Sequence, residues 1–262
     1  MLFFFVFDLD LIGTIIFALT IVAPGFIISD GSLTKVEKSQ IGVIYIIAFF
    51  VIFFWAAFEQ AGASLTYFAE EQTDRNLFGS IVPASYFQSI NAVAIVIFAP
   101  IFVWIWGGLG KRNLEPASPF KQALGLFLLA IGYLVIAFGV KGIDPSTKVS
   151  MGWLVSLYTI HTFGELCLSP IGLSMVNKLT PARFTSLMMG IWFLAIATGN
   201  KLAGTMSSLY PDAKAAVHPS ILGFEINDLF SYFILFVFFS GIAAVLLFFL
   251  CKKLEKMMHG VK

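Results

Sequence analysis

Three charged side chains lie inside long apolar stretches, and they are the first candidates for chemistry. Glu59, Glu165 and Lys201 are each flanked mainly by hydrophobic residues. A charge inside a bilayer costs free energy, so an ionisable residue there is a functional candidate. Removal from water favours the neutral form of a carboxyl group, whereas a nearby cation favours the ionised form. Glu59 and Glu165 are therefore candidates for loading and releasing a proton. The alternative is a protonated or hydrogen-bonded structural carboxyl group.

Lys201 and His161 are weaker candidates. Lys201 lies toward one end of its stretch, where a long side chain can snorkel to the interface rather than serve a substrate or a proton. His161 precedes Glu165 by one helical turn, which leaves open a metal pair, a proton relay or a structural histidine. Two ligands do not make a metal site. The sequence has neither a Ser/His/Asp set nor a helical zinc motif, so it does not support an enzyme or a bound cofactor.

Four other residues sit near these charges in the sequence or in neighbouring stretches. Asn91 is an amide in an apolar stretch, where it either joins helices or binds a polar ligand. Trp192 is too deep for an interfacial aromatic, so packing competes with a binding role. Ser169 follows Glu165 by one turn, and Pro170 removes a helical hydrogen bond there. We expect a kink at Pro170, which is either a gating hinge or a static feature.

Composition identifies the setting of these residues. The 262-residue chain is 59% hydrophobic and only 12% charged, so most of it is expected to lie in lipid. The net charge of +1 leaves no basic surplus for a nucleic-acid partner. Cys167 and Cys251 lie in different parts of the expected membrane region, and neither a disulfide between them nor a metal spacing is expected.

The hydropathy pattern predicts an all-α polytopic membrane protein. One weaker apolar run, roughly 9–29, precedes six stronger ones that each reach the length needed to cross a bilayer. Lipid cannot satisfy backbone hydrogen-bonding groups, and these runs are too long for the strands of a β-barrel, so each run is predicted to be a helix. The six stronger runs are about 41–69, 84–107, 120–140, 151–177, 185–209 and 227–251.

The distribution of basic residues predicts the orientation. Eleven lysines and arginines fall on one side of the predicted helices, and only Arg75, Lys141, Lys148 and Lys214 fall on the other. The side with eleven, which includes Lys262, is expected to be cytoplasmic. The carboxy-terminus then faces the cytoplasm of a cell (inner) membrane. Its lysine-rich tail, 251–256, is interpreted as a positive-inside anchor in preference to a lipid-recognition switch.

Four stretches resemble motifs of the proton-dependent oligopeptide transporter (peptide transporter) family of the major facilitator superfamily. They occur in the order and spacing of the family's helices seven, eight, ten and eleven, and the resemblance covers about residues 33–255. The stretches are FFWAAFEQAG (53–62), PASYFQSIN (83–91), GELCLSPIGLS (164–174) and MMGIWFL (188–194).

The resemblance implies a fold of two six-helix bundles around a central cavity, and inward transport of di- and tripeptides driven by protons, with no other cofactor. Glu165 would meet the amino terminus of the substrate and exchange a salt bridge with a lysine of the amino-terminal bundle. Glu59 would take part in proton coupling and closure of the outer gate. Asn91 would hydrogen-bond the peptide backbone, Trp192 would line a side-chain pocket, and Ser169 would lie beside Glu165.

The sequence departs from the family in one large respect. The Glu-x-x-Glu-Arg motif of the family's first helix and the lysine of its fourth helix have no counterpart here. We expect residues 1–32 to form a lateral helix and linker, residues 33–262 to form the carboxy-terminal six-helix bundle, and Met1 to be an internal start within a longer protein. The amino-terminal six-helix bundle is the expected partner, together with the lipid bilayer.

Two functions follow from these expectations. The first is one half of a proton-coupled di-/tripeptide symporter, inactive without the other bundle. The second is a stand-alone membrane protein, either a homodimeric carrier or a scaffold or regulator. A homodimer would place Glu165 opposite its own copy, and two facing carboxylates repel unless one is protonated. The half-symporter is therefore the favoured interpretation.

Overall fold

The computed structural model describes residues 10–144, 147–211, 219–221 and 223–261. Lys214 and Lys262, two of the basic residues from which the orientation is predicted, lie outside these ranges. Residues 1–9 of the expected lateral segment lie outside them too. The described chain is mainly helical. Its α-helices are α1 (Leu11–Ile28), α2 (Lys35–Phe58), α3 (Ser64–Glu71), α4 (Ser89–Lys111), α5 (Ser118–Val140), α6 (Met151–Leu179), α7 (Thr185–Ser207) and α8 (Leu229–Met257).

Six helical segments of the described chain are long and apolar enough to cross a membrane. The segment Lys35–Glu71 counts as one of them and contains both α2 and α3. Helix α6 has 29 residues but is less apolar, because it carries His161 and Glu165 within its length. Each predicted apolar run therefore coincides with a helical segment, and the prediction of an all-α membrane protein is confirmed.

The bundle is assembled around α5, which packs along α8 on one side and α6 on the other, while α2 packs on α7 and α8. The closest backbone approach joins α5 to α6. A Cβ atom placed on Gly164 would lie 2.8 Å from the carbonyl oxygen of Gly125, and one on Gly125 would lie 2.7 Å from that of Gly164. Small residues permit such contact between membrane helices. This crossing fixes the height of α6 in the bundle.

The predicted run 41–69 is not one helix, because it breaks immediately after α2. Glu59–Gly62 forms a 3₁₀ turn, and α3 starts again at Ser64. Two tyrosine hydroxyls from other helices supply hydrogen bonds to carbonyl groups at the break. Tyr133 donates to Ala57 O at 2.6 Å, and Tyr158 donates to Ala61 O at 3.4 Å. Buried backbone groups need such partners when a helix is interrupted. Glu59 and Gln60 are both good helix formers in a mainly apolar run, so the sequence did not predict this break.

Short strands and polar contacts mark the two ends of the bundle. At one end, β1 (Thr73–Asp74) pairs in parallel with β4 (Val149–Ser150), next to the predicted outer residues Arg75 and Lys148. Two hairpins, β2–β3 (Asn76–Leu77 with Ser80–Ile81) and β5–β6 (Ser220–Ile221 with Phe224–Glu225), complete the set of described strands.

At the opposite end, polar side chains tie three parts of the chain together. Arg183 pairs with Glu37 at 3.1 Å, and Ser39 Oγ donates to the carbonyl of Met257 at the end of α8. Lysines of this end, such as Lys38 and Lys256, belong to the group predicted to be cytoplasmic. The structure therefore places these loops at one end of the bundle, as the distribution of basic residues predicted. The assignment of this end to the cytoplasm stays a prediction.

Helix α1 lies against α7 and is mostly exposed elsewhere. Two polar contacts hold it. The hydroxyl groups of Thr20 and Thr198 are 2.7 Å apart, and Lys201 pairs with Asp10, the residue that caps α1, at 3.1 Å. The pKa of Asp10 is lowered from its usual value. The main cause is the hydrogen bond that its carboxylate accepts from Gly13 N, and the second cause is the contact with Lys201. Lys201 is thus ion-paired with a residue that the sequence did not suggest as its partner. The division into 1–32 and 33–262 stays a prediction.

The docking of α1 predicts an efficient cross-link. In a Thr20→Cys/Thr198→Cys variant, the two thiols replace hydroxyl groups that touch, so oxidation is expected to form a disulfide in most molecules. The cross-link is read as a mobility shift after protease cleavage within 29–34. Thr14→Cys with Thr198→Cys is the control, because Thr14 lies almost two turns from Thr20. Equal cross-linking of both pairs would contradict this docking of α1.

Candidate functional site

A cavity of about 200 Å³ lies beside the break after α2. Its wall combines the end of α2 and the following turn, the start of α4 with its preceding turn, and the first half of α6. Five of the residues that line it carry polar groups: Glu59, Gln88, Asn91, Tyr158 and His161. A concave space with a few convergent polar groups is the usual form of a small-ligand site.

Glu165 adjoins this cavity through Asn91. The Asn91 side-chain amide donates to Glu165 Oε2 at 2.8 Å and is 3.0 Å from Thr162 Oγ1. The Thr162 hydroxyl in turn donates to the carbonyl of Tyr158 within α6. The packing of α4 on α6 therefore orients one oxygen of the Glu165 carboxyl group. A carboxylate held by a neutral amide keeps its charge uncompensated, so it can accept a proton or a cationic group.

Glu59 is the second carboxyl group at this site. It is the capping residue at the end of α2, is partly buried and lines the cavity directly. Among the described residues, neither Glu59 nor Glu165 forms an ion pair with a lysine or arginine. The structure thus brings together two of the acidic residues that the sequence analysis singled out. Their proposed role in proton coupling stays a prediction.

His161 is a buried neighbour of both acidic residues. Its ring lies between Phe58 and Tyr133 and occupies space that a side chain at Gly132 would fill. Its Nε2 atom is buried and has no hydrogen-bond partner among the described residues. The described part of the chain contains no group of three or more His, Cys, Asp or Glu residues placed to hold a metal ion. His161 is thus packed among aromatic rings with one edge at the cavity, and a structural role for it stays a prediction.

The other predicted site residues lie farther along α6 and α7. Trp192 is 2% exposed, with its ring packed against Gly172 of α6. Ser169 is partly buried one turn beyond Glu165, and its hydroxyl has no hydrogen-bond partner among the described residues. Helix α6 continues through Pro170, which is exposed. The predicted substrate contacts of Trp192 and Ser169, and the hinge at Pro170, stay predictions.

Gln60 has a structural role that was not predicted from the sequence. This residue is fully buried, and its amide nitrogen donates to the carbonyls of Ala56 and Ala203 at 3.2 and 2.9 Å. Its oxygen accepts hydrogen bonds from Ser64 and Tyr232 at 2.6 and 3.2 Å. This network joins the break after α2 to α7 and α8, and so fixes the backbone beside Glu59. The only signal in the sequence was an amide directly after an acidic residue in an apolar run.

Gln60→Leu is expected to lower the free energy of unfolding by about 2 kcal/mol, because it leaves several buried donors and acceptors without partners. The measurement is thermal unfolding of the purified chain in detergent. Gln88→Leu is the matched control, since Gln88 is exposed and its side-chain amide donates to the Thr66 hydroxyl at the protein surface. Equal stability of the two variants would show that the Gln60 network is not structural.

Comparison with known proteins gives a consistent result. A family model described as the POT family matches residues 14–222. The peptide transporter YePEPT of Yersinia enterocolitica is 37% identical over 181 residues, which are 68% of this chain and 35% of that protein. The dipeptide and tripeptide permease A of Proteus mirabilis is 30% identical over 246 residues, or 92% of this chain and 49% of the permease.

Solved structures agree with the sequence relatives. A crystal structure of a peptide transporter POT in complex with sulfate matches with a TM-score of 0.83 and 28% identity, covering 95% of this chain and 47% of that one. A POT family transporter in complex with 5-aminolevulinic acid matches with a TM-score of 0.79 and 27% identity, covering 97% and 50%. The chain spans half or less of the length of these relatives. They are transporters, which confirms the prediction that it is not an enzyme.

Proposed function

This chain belongs to the POT family and is a multi-pass membrane protein, and on that premise we propose that it forms the carboxy-terminal half of a proton-coupled di-/tripeptide symporter. Two of its relatives are described as a peptide transporter and a dipeptide and tripeptide permease. One related structure is described as a complex with a thioalcohol-conjugated peptide. These descriptions supply the substrate class of the proposal.

The observation that carries the proposal is the Asn91–Glu165 pair beside the cavity. Asn91 directs one Glu165 oxygen, and no cation among the described residues neutralises the carboxyl group. The protonated amino terminus of a peptide has the charge and the three donors that such a carboxylate binds best. Asn91 also has a carbonyl oxygen that can accept from a peptide N–H. Glu165 and Asn91 are therefore assigned to substrate binding.

Proton coupling is assigned to Glu59 and Glu165. Both carboxyl groups are partly buried near one cavity, where each can be neutral or ionised according to what lies beside it. Entry of a cationic amino terminus favours the ionised form of Glu165 and thereby releases its proton. Protons serve as the coupling ion in this scheme, and no further cofactor is required.

The remaining roles rest on the family resemblance. Ser169, with an unpartnered hydroxyl one turn from Glu165, is assigned to the same binding region. Trp192 would reach a substrate side chain only after α6 and α7 shift, because it is covered here. Pro170 would permit that shift as a hinge in α6. The protein is placed in the inner membrane with its carboxy-terminus in the cytoplasm.

The proposal also requires a partner, namely an amino-terminal six-helix bundle. A peptide has two charged ends, and the site described here offers acidic groups for the amino end only. Helix α4 supports this requirement, since it contacts α6 but leaves large apolar side chains such as Val96, Ile101 and Trp104 exposed. A face that carries one wall of a site and has no partner is suited to a second bundle.

Uptake of a radiolabelled dipeptide into proteoliposomes with an inward proton gradient tests the proposal. The chain alone is expected to show no uptake above empty vesicles. Reconstitution with the amino-terminal half of the Yersinia enterocolitica transporter is expected to give uptake that a protonophore abolishes. That half alone is the control. Robust uptake by the chain alone would instead favour a homodimeric carrier, and silence in every combination would contradict a transport role.

A further inference from the structure

A second concave surface lies on the outside of the bundle and has no lining residue in common with the acidic site. It is a groove of about 390 Å³ between α5 and α8. Its floor is formed by Ala123 and Ala244, which are buried, and its walls by Leu124, Phe127, Val245 and Phe249. The groove exists because Ala123 and Ala244 are small, and the larger side chains on either side of them make it deeper. The volume falls in the range of ligand-binding pockets.

The lining of the groove selects the chemistry of its occupant. Every residue that lines it is apolar, and its wall residues are exposed: 52% for Phe127, 53% for Val245 and 76% for Phe249. Such a surface within a membrane-spanning region faces hydrocarbon. A ligand of this groove is therefore selected by its shape and not by hydrogen bonds. In a bilayer, the available apolar ligand with a flexible shape is a lipid acyl chain.

One end of the groove carries positive charge. In a helix, residues four apart lie on the same face, so Lys252 follows Phe248, Lys253 follows Phe249, and Lys256 lies one turn beyond Lys252. All three lysines are exposed, and none forms an ion pair among the described residues. With Glu255 the segment has three positive charges and one negative, a net charge of +2.

The register of the two helices places these charges at the mouth of the groove. Phe120, in the first turn of α5, contacts Phe248 with ring centroids 5.9 Å apart, and Ala130 approaches Gly241. Helices α5 and α8 are therefore antiparallel, and the end of α8 lies beside the beginning of α5. Lys252 and Lys253 each stand about 6 Å along the helix beyond the phenylalanine four residues before them, and Lys256 lies about 6 Å beyond Lys252. These positions are at headgroup level for a chain lying in the groove.

Two other occupants fit less well. Helix α1 packs on α7 and α2, so it leaves the groove uncovered. A second copy of the chain, related by two-fold symmetry, would use the same patch on both subunits. That arrangement would bring two sets of Lys252, Lys253 and Lys256 together, and like charges repel.

We propose that this groove is a binding site for one phospholipid with an anionic headgroup. The acyl chain lies between α5 and α8, and the phosphate is held by Lys252, Lys253 and Lys256. The lysine-rich tail is then part of a shaped site as well as a positive-inside anchor. This assignment does not depend on the proposed peptide transport.

Native mass spectrometry of the purified full chain in detergent tests the site. Phosphatidylglycerol is expected to remain bound as one copy, in preference to phosphatidylcholine with the same chains. Lys252→Gln/Lys253→Gln/Lys256→Gln is expected to reduce phosphatidylglycerol affinity about tenfold or more. Lys35→Gln/Lys111→Gln/Arg112→Gln removes three charges elsewhere and is expected to have little effect.

A second pair of variants probes the groove itself. Val245→Trp places a bulky ring in it and is expected to abolish retention of the lipid, whereas Leu246→Trp adds the same ring at an equally exposed position outside it. Circular dichroism confirms that both variants fold. Four results would overturn the proposal: equal binding of the two lipids, equal loss in both triple variants, retention by Val245→Trp, or binding of glycerol phosphate without chains. A dimer in place of a lipid adduct would overturn it too.

Discussion

Glu165→Gln is expected to reduce proton-driven dipeptide uptake by about 100-fold or more when the chain is reconstituted with an amino-terminal bundle. The variant keeps the shape of the side chain and a group for Asn91 to contact, but it removes the charge that would bind a peptide amino terminus. Loss of one partner of a buried charge pair costs ~3–5 kcal/mol, which corresponds to this factor or a larger one. Initial uptake rates in proteoliposomes measure the effect.

Glu70→Gln is the matched control for this experiment. Glu70 lies in α3, at the same end of the bundle as Glu59, but it is exposed and does not line the cavity. Its replacement is expected to leave uptake nearly unchanged. Asn91→Leu should produce an intermediate loss, because it removes the hydrogen bond at 2.8 Å while leaving the carboxyl group in place. A Glu165→Gln variant that kept more than half of the uptake rate would remove Glu165 from the mechanism.

Gly164→Ala is expected to destabilise the bundle strongly. The added Cβ atom would lie 2.8 Å from the carbonyl oxygen of Gly125, and backbone atoms cannot move aside as a flexible side chain can. Overpacking of this kind costs about 1–3 kcal/mol and occasionally more. Thermal unfolding in detergent gives the change in stability. Because Glu165 is the next residue, uptake should fall as well.

Gly190→Ala provides the comparison for the glycine experiment. Gly190 lies in α7, and a Cβ atom there would meet nothing within 4 Å. Alanine has the higher helix propensity, so this variant is expected to be neutral or slightly stabilised. Gly125→Ala should resemble Gly164→Ala, and the double variant should be less destabilised than the sum, since both changes open the same crossing. Additive effects of the two would argue against direct backbone contact.

The sequence predicted the helices well because a membrane imposes a simple rule on them. Runs of about 20 apolar residues must be helical in lipid, whatever they pack against. The break at Glu59 was not predictable in this way, because Glu59 and Gln60 are both good helix formers and the run around them is mainly apolar. It depends on Tyr133 and Tyr158, whose hydroxyl groups arrive from other helices.

Contacts between different helices could not be predicted from the spacing of residues in the sequence, because they depend on how the helices pack. Asn91 and Glu165 are 74 residues apart, and their contact arises from the packing of α4 on α6. Only the resemblance to a known family suggested that they serve one site. The contact between Lys201 and Asp10 also spans most of the chain. A polar residue in a membrane-spanning segment indicates that it has a polar partner, but only the tertiary structure shows which residue that partner is.

The interruption after α2 has a mechanical consequence. A continuous α-helix behaves as a stiff rod, whereas α2 and α3 are two rods connected by the turn Glu59–Gly62. The carbonyl groups of Ala57 and Ala61 at this joint are tethered by tyrosine side chains, so bending there does not break a series of intrahelical bonds. A change in the angle between the two rods has instead to break the Gln60 hydrogen bonds that join this turn to α7 and α8. Glu59 lies at this joint, so any change in the angle between α2 and α3 would alter the surroundings of its carboxyl group.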